Sequence, residues 1–256
     1  MTNYTIFSDL DGTLLNHHTY AYEAVLPLLE KLSDRNIPVI LNSSKTLSEL
    51  EVWQQKLKLN TPMIAENGGV IRYDDGENVH TKLIGKPYEE IRSFIKHLRK
   101  FNGWQFEGFG DWTVAEVMNH TQLKINDAVH AKEREVSEPI LWSDSEENLA
   151  RFKSALLEEG LILKKGGRFY HVMAAHDKAD AMKFLKGNKT FGCSQACTTI
   201  ALGDGGNDQA MLEYADIAVV MPPANGEPLN VEQAIYSQLE SPQGWVDSIE
   251  TILKLK

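Results

Sequence analysis

Three things are scarce in this chain: cysteine, long apolar runs and clustered positive charge. Its two cysteines, Cys193 and Cys197, can form at most one bridge and lack the second pair or neighbouring histidines of a zinc site. The expectation is two free thiols, buried or partly buried. No apolar run approaches the ~20 residues of a membrane helix, and the N-terminus has no basic start followed by an apolar signal core. The expected compartment is therefore the cytoplasm. A net charge of −10, with no long Lys/Arg run interleaved with aromatics, argues against nucleic acid or an anionic membrane as partner. An anionic substrate has to be held by a few local cations. Internal repeats, low-complexity tracts and Ser/Gly-rich linkers are missing too.

What is present is an ordinary folding composition, 42% hydrophobic over 256 residues, enough for one large α/β domain or a core with a smaller insert. The most informative stretch is Thr5-Ile6-Phe7-Ser8-Asp9-Leu10-Asp11-Gly12-Thr13, an apolar strand running into two carboxylates and a glycine. Strand side chains alternate, so Asp9 and Asp11 face one pocket while Leu10 points away. Two such carboxylates repel unless a cation lies between them, and an oxygen-rich site suits Mg2+. Gly12 allows the sharp turn that follows.

Further along, residues 22–32 space Val25, Leu28, Leu29 and Leu32 on one helix face, and Ile37–Leu41 reads as a buried strand. That strand ends in Asn42-Ser43-Ser44-Lys45-Thr46, with a helix expected from about Ser48, which is taken as its cap. Strand-to-helix junctions of this kind bind phosphate. Met63–Ala65 is a third strand, leading into Glu66-Asn67-Gly68-Gly69 and a hairpin through Asp74-Asp75-Gly76. From about Leu83 the pattern changes. Helices over 87–101, 112–119, 127–134 and 146–159 mix with strands at 104–109, 139–142, 161–164 and 168–173, the last two joined across Gly166-Gly167. This reads as an α+β insert, with Trp104, Trp112 and Trp142 filling its core. Within it His171 is expected to pack in its strand and Glu138 to be a loop acid, while His17 and His18 lie in a solvated loop near the N-terminus.

The α/β alternation resumes with a helix over 178–185, a strand over 198–202 and the turn Gly203-Asp204-Gly205-Gly206-Asn207-Asp208. A helix at 209–214, a strand at 217–220 and helices at 231–239 and 246–254 complete the reading. The fold class expected is a doubly wound, Rossmann-like parallel sheet with an inserted α+β cap. Residues 1–82 and 174–256 form the core, and 83–173 form the cap. In such a sheet Asp9, Asp11, Ser43, Asp204 and Asp208 share one edge, with Lys178 at a helix start beside them. Metal to neutralise charge, an amine and a hydroxyl to hold phosphoryl oxygens, and a carboxylate to attack make a set for Mg2+-assisted phosphoryl transfer.

These residues resemble the four motifs of the haloacid dehalogenase-like phosphatases: Asp9-Leu10-Asp11-Gly12-Thr13, Ser43, Lys178, and Gly203-Asp204-Gly205-Gly206-Asn207-Asp208. The resemblance implies that Asp9 attacks phosphorus and Asp11 serves as acid and then base. It further implies that Mg2+ is held by Asp9, the Asp11 carbonyl and Asp204, with Asp208 as an outer support, and that Ser43, Lys178 and Asn207 bind the phosphoryl group. An insert between the second and third motifs resembles the C2-type cap of that family. Asn42–Thr46, Glu66-Asn67-Gly68, Arg134 with Ser137-Glu138-Pro139, and Gly167–His171 are similar to the mannosyl-3-phosphoglycerate phosphatases within it. The implied partner is a small phosphorylated sugar acid, with Arg168 as the fork for its carboxylate and Lys45 and Arg134 as further cations; the chain is expected to be a monomer or homodimer. A broader sugar-phosphate phosphatase, a phosphomannomutase, or a non-enzymatic phosphoacceptor module are the competing readings.

Overall fold

The computed structural model describes residues 4–166, 168–187 and 197–255. Its strands are β1 (Tyr4–Ser8), β2 (Val39–Asn42), β3 (Met63–Ala65), β4 (Val70–Asp74), β5 (Val79–Leu83) and β6 (Phe106–Gly108). They continue with β7 (Ser137–Trp142), β8 (Leu161–Lys165), β9 (Tyr170–Ala174), β10 (Thr198–Gly203), β11 (Ile217–Val220) and β12 (Ile235–Tyr236). The helices are α1 (Leu26–Asp34), α2 (Leu47–Leu57), α3 (Tyr88–Asn102), α4 (Val114–Thr121), α5 (Ile125–Lys132), α6 (Glu146–Glu158), α7 (Lys178–Gly187), α8 (Gln209–Tyr214) and α9 (Gln243–Leu253).

The main sheet runs β12-β11-β10-β1-β2-β3-β4-β5, parallel from β12 to β3 and antiparallel in the β4–β5 hairpin at the far edge. Because β1, β2 and β10 are covered on both faces, they read as continuous apolar runs. Ile6, Leu41, Ile200 and Leu202 pack against α1, α2 and α9 through Leu28, Leu32, Leu50 and Trp245. The opposite face of the sheet packs Phe7, Ile40, Ala201 and Val220 against Met182 and Leu185 of α7 and Met211 of α8. Two-sided cover puts the strand ends at one open edge, where a ligand can reach them.

The insert has its own antiparallel sheet, β6-β7-β9-β8. Helices α3 and α6 cover one face through Ile91, Ile95, Phe152 and Leu156 on Trp104, Phe106, Ile140 and Val172. A small cluster of Phe109, Trp112, Val117, Ala128 and Ala131 joins α4 to α5. Trp104 and Trp112 are buried and Trp142 stacks on Phe152, as tryptophans filling a small core should.

Several local expectations fail for definable reasons. Residues 231–239 form no helix; Ile235 and Tyr236 instead pair with Val219 and Val220 of β11 at the sheet edge. The Tyr236 hydroxyl also donates to Val231 O and accepts from Val231 N, which folds that segment onto itself. A vacant ladder outcompeted apolar residues at helical spacing. The cap of α2 is Thr46, not Ser48: Thr46 Oγ1 accepts from Glu49 N at 3.1 Å while Glu49 Oε2 accepts from Thr46 N at 2.9 Å. This reciprocal pair satisfies two donors that a lone Ser48 cap could not. Cys197 is disulfide-bonded, so the expectation of free thiols is wrong; Cys193 and Gly167 lie outside the described residues. The two cysteines are near enough in sequence that one bridge was always open to them.

Candidate active site

Beyond β1, Asp9 continues the ladder by donating its N–H to Leu202 O of β10 at 2.9 Å. The chain then turns at Gly12, whose φ is +81° and where a Cβ would lie 2.6 Å from Asp204 Oδ2. Glycine therefore lets this loop close onto the loop after β10. Thr13 seals the contact by donating from Oγ1 to Asp204 Oδ1 at 3.1 Å.

Lys178 is the first residue of α7, whose start is fixed by Asp177: its Oδ1 accepts from the N–H of Ala179 and Asp180 at 2.8 and 3.0 Å. The 66–68 turn packs tightly against it, since a Cβ on Gly68 (φ +97°) would fall 2.0 Å from Asp177 O. Fully buried, the Lys178 ammonium stands 2.5 Å from Asp9 Oδ1 and 2.6 Å from Asp208 Oδ1. Asp208 uses its other oxygen, Oδ2, to accept from Asp204 N and Gly205 N at 3.1 and 3.0 Å. It both orients the lysine and shapes the loop that carries Asp204.

Asp9, Asp204 and Asp208 each bring one oxygen within 4.8 Å of the others. Burial pushes the Asp9 carboxyl well above its ordinary range; Lys178 pulls it back only in part, because Asp208 and Asp204 act in the same direction as burial. Burial and the Asp208 carboxylate push Asp204 up to about 7. Lys178 feels the converse: burial disfavours its ammonium, but Asp208 and Asp9 outweigh that and hold it above the usual range. One positive charge against three carboxyls is an acidic excess that a divalent cation with oxygen ligands fits.

Asp11 turns toward a different neighbour. Its Oδ2 is 2.9 Å from Lys45 Nζ, which also lies 3.7 Å from Glu49. Its Oδ1 is buried without a partner. Ser43, just past the end of β2, is almost wholly buried, its Oγ accepting from Lys45 N at 3.3 Å, while Ser44 and Lys45 form the cavity wall. Asn207 also reaches the wall, donating from Nδ2 to Asn67 Oδ1 at 3.2 Å.

Core and insert enclose a cavity of about 690 Å³, lined on the core side by Asp9, Asp11, Asp204 and Asn207 and on the insert side by Arg134, Lys164, Arg168 and His171. Several contacts hold the insert over it, among them the following. Glu66, fully buried in a left-handed conformation (φ 49°), accepts from Glu135 N, Val136 N and Ser137 Oγ at 2.8, 3.2 and 2.6 Å. Thr46 Oγ1 donates to His130 O of α5 at 2.8 Å, and Arg134 Nη1 donates to Ser44 O at 3.2 Å. Arg168 lies at the exposed rim, donating to His120 O and Thr121 O. A larger void of about 830 Å³ opens at the opposite end of the main sheet, around Tyr4, Pro38 and Asn60, away from every carboxylate just described.

Glu138 is no loop acid. It sits buried on β7, accepting from Arg92, from Tyr88 Oη and from Gly110 N at 2.8, 2.7 and 2.9 Å, so it ties the insert together. The apolar run Ile140-Leu141-Trp142 marks the end of the strand, but nothing local in the sequence points to Glu138's place in it or to Arg92 of α3. Lys164, Glu49 and Tyr20 also reach the cavity unannounced by any motif; only Lys164's place in a strand was legible.

The haloacid dehalogenase-like hydrolase profile matches residues 6–239. The chain belongs to that family. It is 35% identical, over 97% of its length and 96% of the other's, to the glucosyl-3-phosphoglycerate/mannosyl-3-phosphoglycerate phosphatase of Persephonella marina. Family and relative make it a phosphoric monoester hydrolase. Among solved structures it superposes on the phosphatase BT1666 of Bacteroides thetaiotaomicron with a TM-score of 0.73 at 19% identity, covering 100% of this chain and 96% of that one. The subclass IIB sugar phosphatase BT4131 gives 0.67 at 17%, covering 98% and 97%. At these identities the two structures establish the fold.

Proposed function

We propose that this protein is a Mg2+-dependent phosphatase that hydrolyses a glycosyl-3-phosphoglycerate to the glycosylglycerate and phosphate. The observation that carries the chemistry is a fully buried Lys178 shared between Asp9 and Asp208, with Asp204 alongside. The substrate is supported by the named relative and by a cavity roomy enough for a sugar acid and walled on the insert side by cations.

Asp9, Asp204 and Asp208 offer the oxygens for Mg2+, with the Asp11 carbonyl nearby in the chain; the ion supplies charge neutralisation for the phosphoryl oxygens. Asp9 Oδ1 is held by Lys178, which leaves Oδ2 to attack phosphorus. An Asp9–phosphorus bond forms as the bond to the ester oxygen breaks, and the leaving alkoxide takes a proton from Asp11. Water then attacks the aspartyl phosphate, gives its proton to Asp11, and releases phosphate and free Asp9. Of the two oxygens of Asp11, Oδ2 is anchored on Lys45 and Oδ1 has no hydrogen-bond partner. Lys178, with the Ser43 and Asn207 side chains, steadies the phosphoryl oxygens, and the closed insert keeps bulk water out.

The test is phosphate release, with and without Mg2+, from mannosyl- and glucosyl-3-phosphoglycerate set against a panel of sugar monophosphates at equal concentration. Strong preference for a glycosyl-phosphoglycerate supports the assignment. Preference for a simple sugar phosphate keeps the mechanism and overturns the substrate.

A further inference from the structure

The cations around the cavity differ in how far their charge is already committed. Lys178 is shared by Asp9 and Asp208, and Lys45 by Asp11 and Glu49. Arg134 is spent on Ala131 O, Ser44 O and Ser137 Oγ, and Arg168 on two carbonyls at the end of α4. Lys164 is different. It is half-buried, lines the cavity, and has no carboxylate partner among the described residues; its Nζ rests 3.4 Å from Asn207 O, at the long limit of a hydrogen bond.

His171 lies directly across from Lys164 in the β8–β9 pairing, so both side chains leave the same face of the insert's sheet, the face toward the core. Two positive charges opposite each other would repel. Burial, and then the charges of Arg134 and Lys164, push His171 down to about 3, so it stands neutral. Its Nδ1 is buried without a partner. Side by side, then, are a neutral imidazole and an ammonium that feels Asp177 and Asp208 only at a distance, with no carboxylate in ion-pair contact among the described residues. A half-buried ammonium in that position is costly unless an anion meets it.

We propose that Lys164, with the neutral His171 beside it, forms the insert's subsite for the second, non-transferred anion of the substrate, a carboxylate held on Lys164 Nζ. The subsite rests on the function proposed above and deepens it by naming the residues that tell an acid from a neutral sugar phosphate. The transferred phosphoryl belongs at Asp9, where Lys178 already stands. Lys164 approaches from the insert, beside the loop that carries Asn207, and is available for a group farther along the substrate. On binding, the carboxylate replaces the weak contact to Asn207 O with a charge-assisted one.

The experiment compares kcat/KM for a glycosyl-3-phosphoglycerate and for the same compound with its carboxylate converted to the primary amide. Wild type should prefer the acid. Lys164→Met should shrink that preference by about 10- to 100-fold, mainly through KM, as expected for loss of a hydrogen bond to a charged group. Lys164→Arg should keep most of it, which separates charge recognition from a folding defect. Unchanged kcat/KM for both compounds in Lys164→Met, or a fall of equal size for both, overturns the subsite. The second result would move Lys164 to the phosphoryl group. If the wild type takes neither compound but cleaves other phosphate esters, the substrate reading itself has failed, and that failure is visible before any variant is made.

Discussion

Replacing Lys178 by Met removes a buried ammonium while keeping most of its volume, and the consequence should depend on pH in a defined direction. In the native protein the ammonium lies 2.5 and 2.6 Å from two carboxylates that are themselves buried. Removing one partner from a buried ion pair costs about 3 to 5 kcal/mol, because the remaining charge has neither water nor counter-ion. For a chain of this size that corresponds to a fall in Tm of about 6 to 20 °C at pH 8 without metal. Acid should relieve the loss. The Asp9 and Asp204 carboxyls already lie above their unfolded range, and without Lys178 they rise further. A carboxyl with a raised folded-state value favours the fold while it is protonated and disfavours it as pH rises through that value. The Tm deficit of Lys178→Met should therefore shrink between pH 8 and pH 5 in EDTA. Scanning fluorimetry at several pH values reads this directly. An equal deficit at both ends would mean that the carboxylates do not depend on Lys178 for their charge balance, and the account of the cluster would be wrong.

Other outcomes follow from the same geometry. Asp9→Asn should abolish phosphate release while leaving the circular dichroism spectrum that of the folded protein; turnover above about 1% of wild type would remove Asp9 as the attacking group. Because Asp204 sits at about 7, protons compete with metal there, and the Mg2+ needed for half-saturation should climb as pH drops from 8 to 6. Calorimetric titration that finds no pH dependence would argue against Asp204 as a ligand. Glu66→Gln keeps the shape but weakens three hydrogen bonds to the 135–137 linker, and should speed protease cleavage there and raise KM several-fold. Unchanged proteolysis would show that the clamp does not hold the insert down.

The core site was legible because its parts are local. A strand followed at once by acids and glycine can be recognised around Asp9 and again around Asp204, and a parallel sheet then has to bring such ends together. The start of α7 was equally readable, down to Lys178. What escaped was set by partners distant in sequence. Asp11 and Lys45 meet only when β1 and β2 pair, and Lys164 and Asn207 only after the insert has docked, so neither pairing leaves a periodic trace. The false helix at 231–239 and the misplaced cap at Ser48 fail differently: there the residue types were read correctly, and a competing hydrogen-bond arrangement was available. Glu138 combines both faults, since a strand was started two residues late and its buried arginine partner lay far off.

The sheet order also bears on how the chain is made. Strand β1 lies between β2, which follows it closely, and β10, which begins at Thr198. During vectorial synthesis at about 5 to 20 residues per second, one flank of β1 waits on the order of 10 to 40 s for its partner. Throughout that interval Ile6 and Phe7 belong to an unfinished edge, open to any extended segment that passes. The arrangement that unites the first acidic turn with the last thus gives the nascent chain a long period of exposure, and the whole insert is translated inside it.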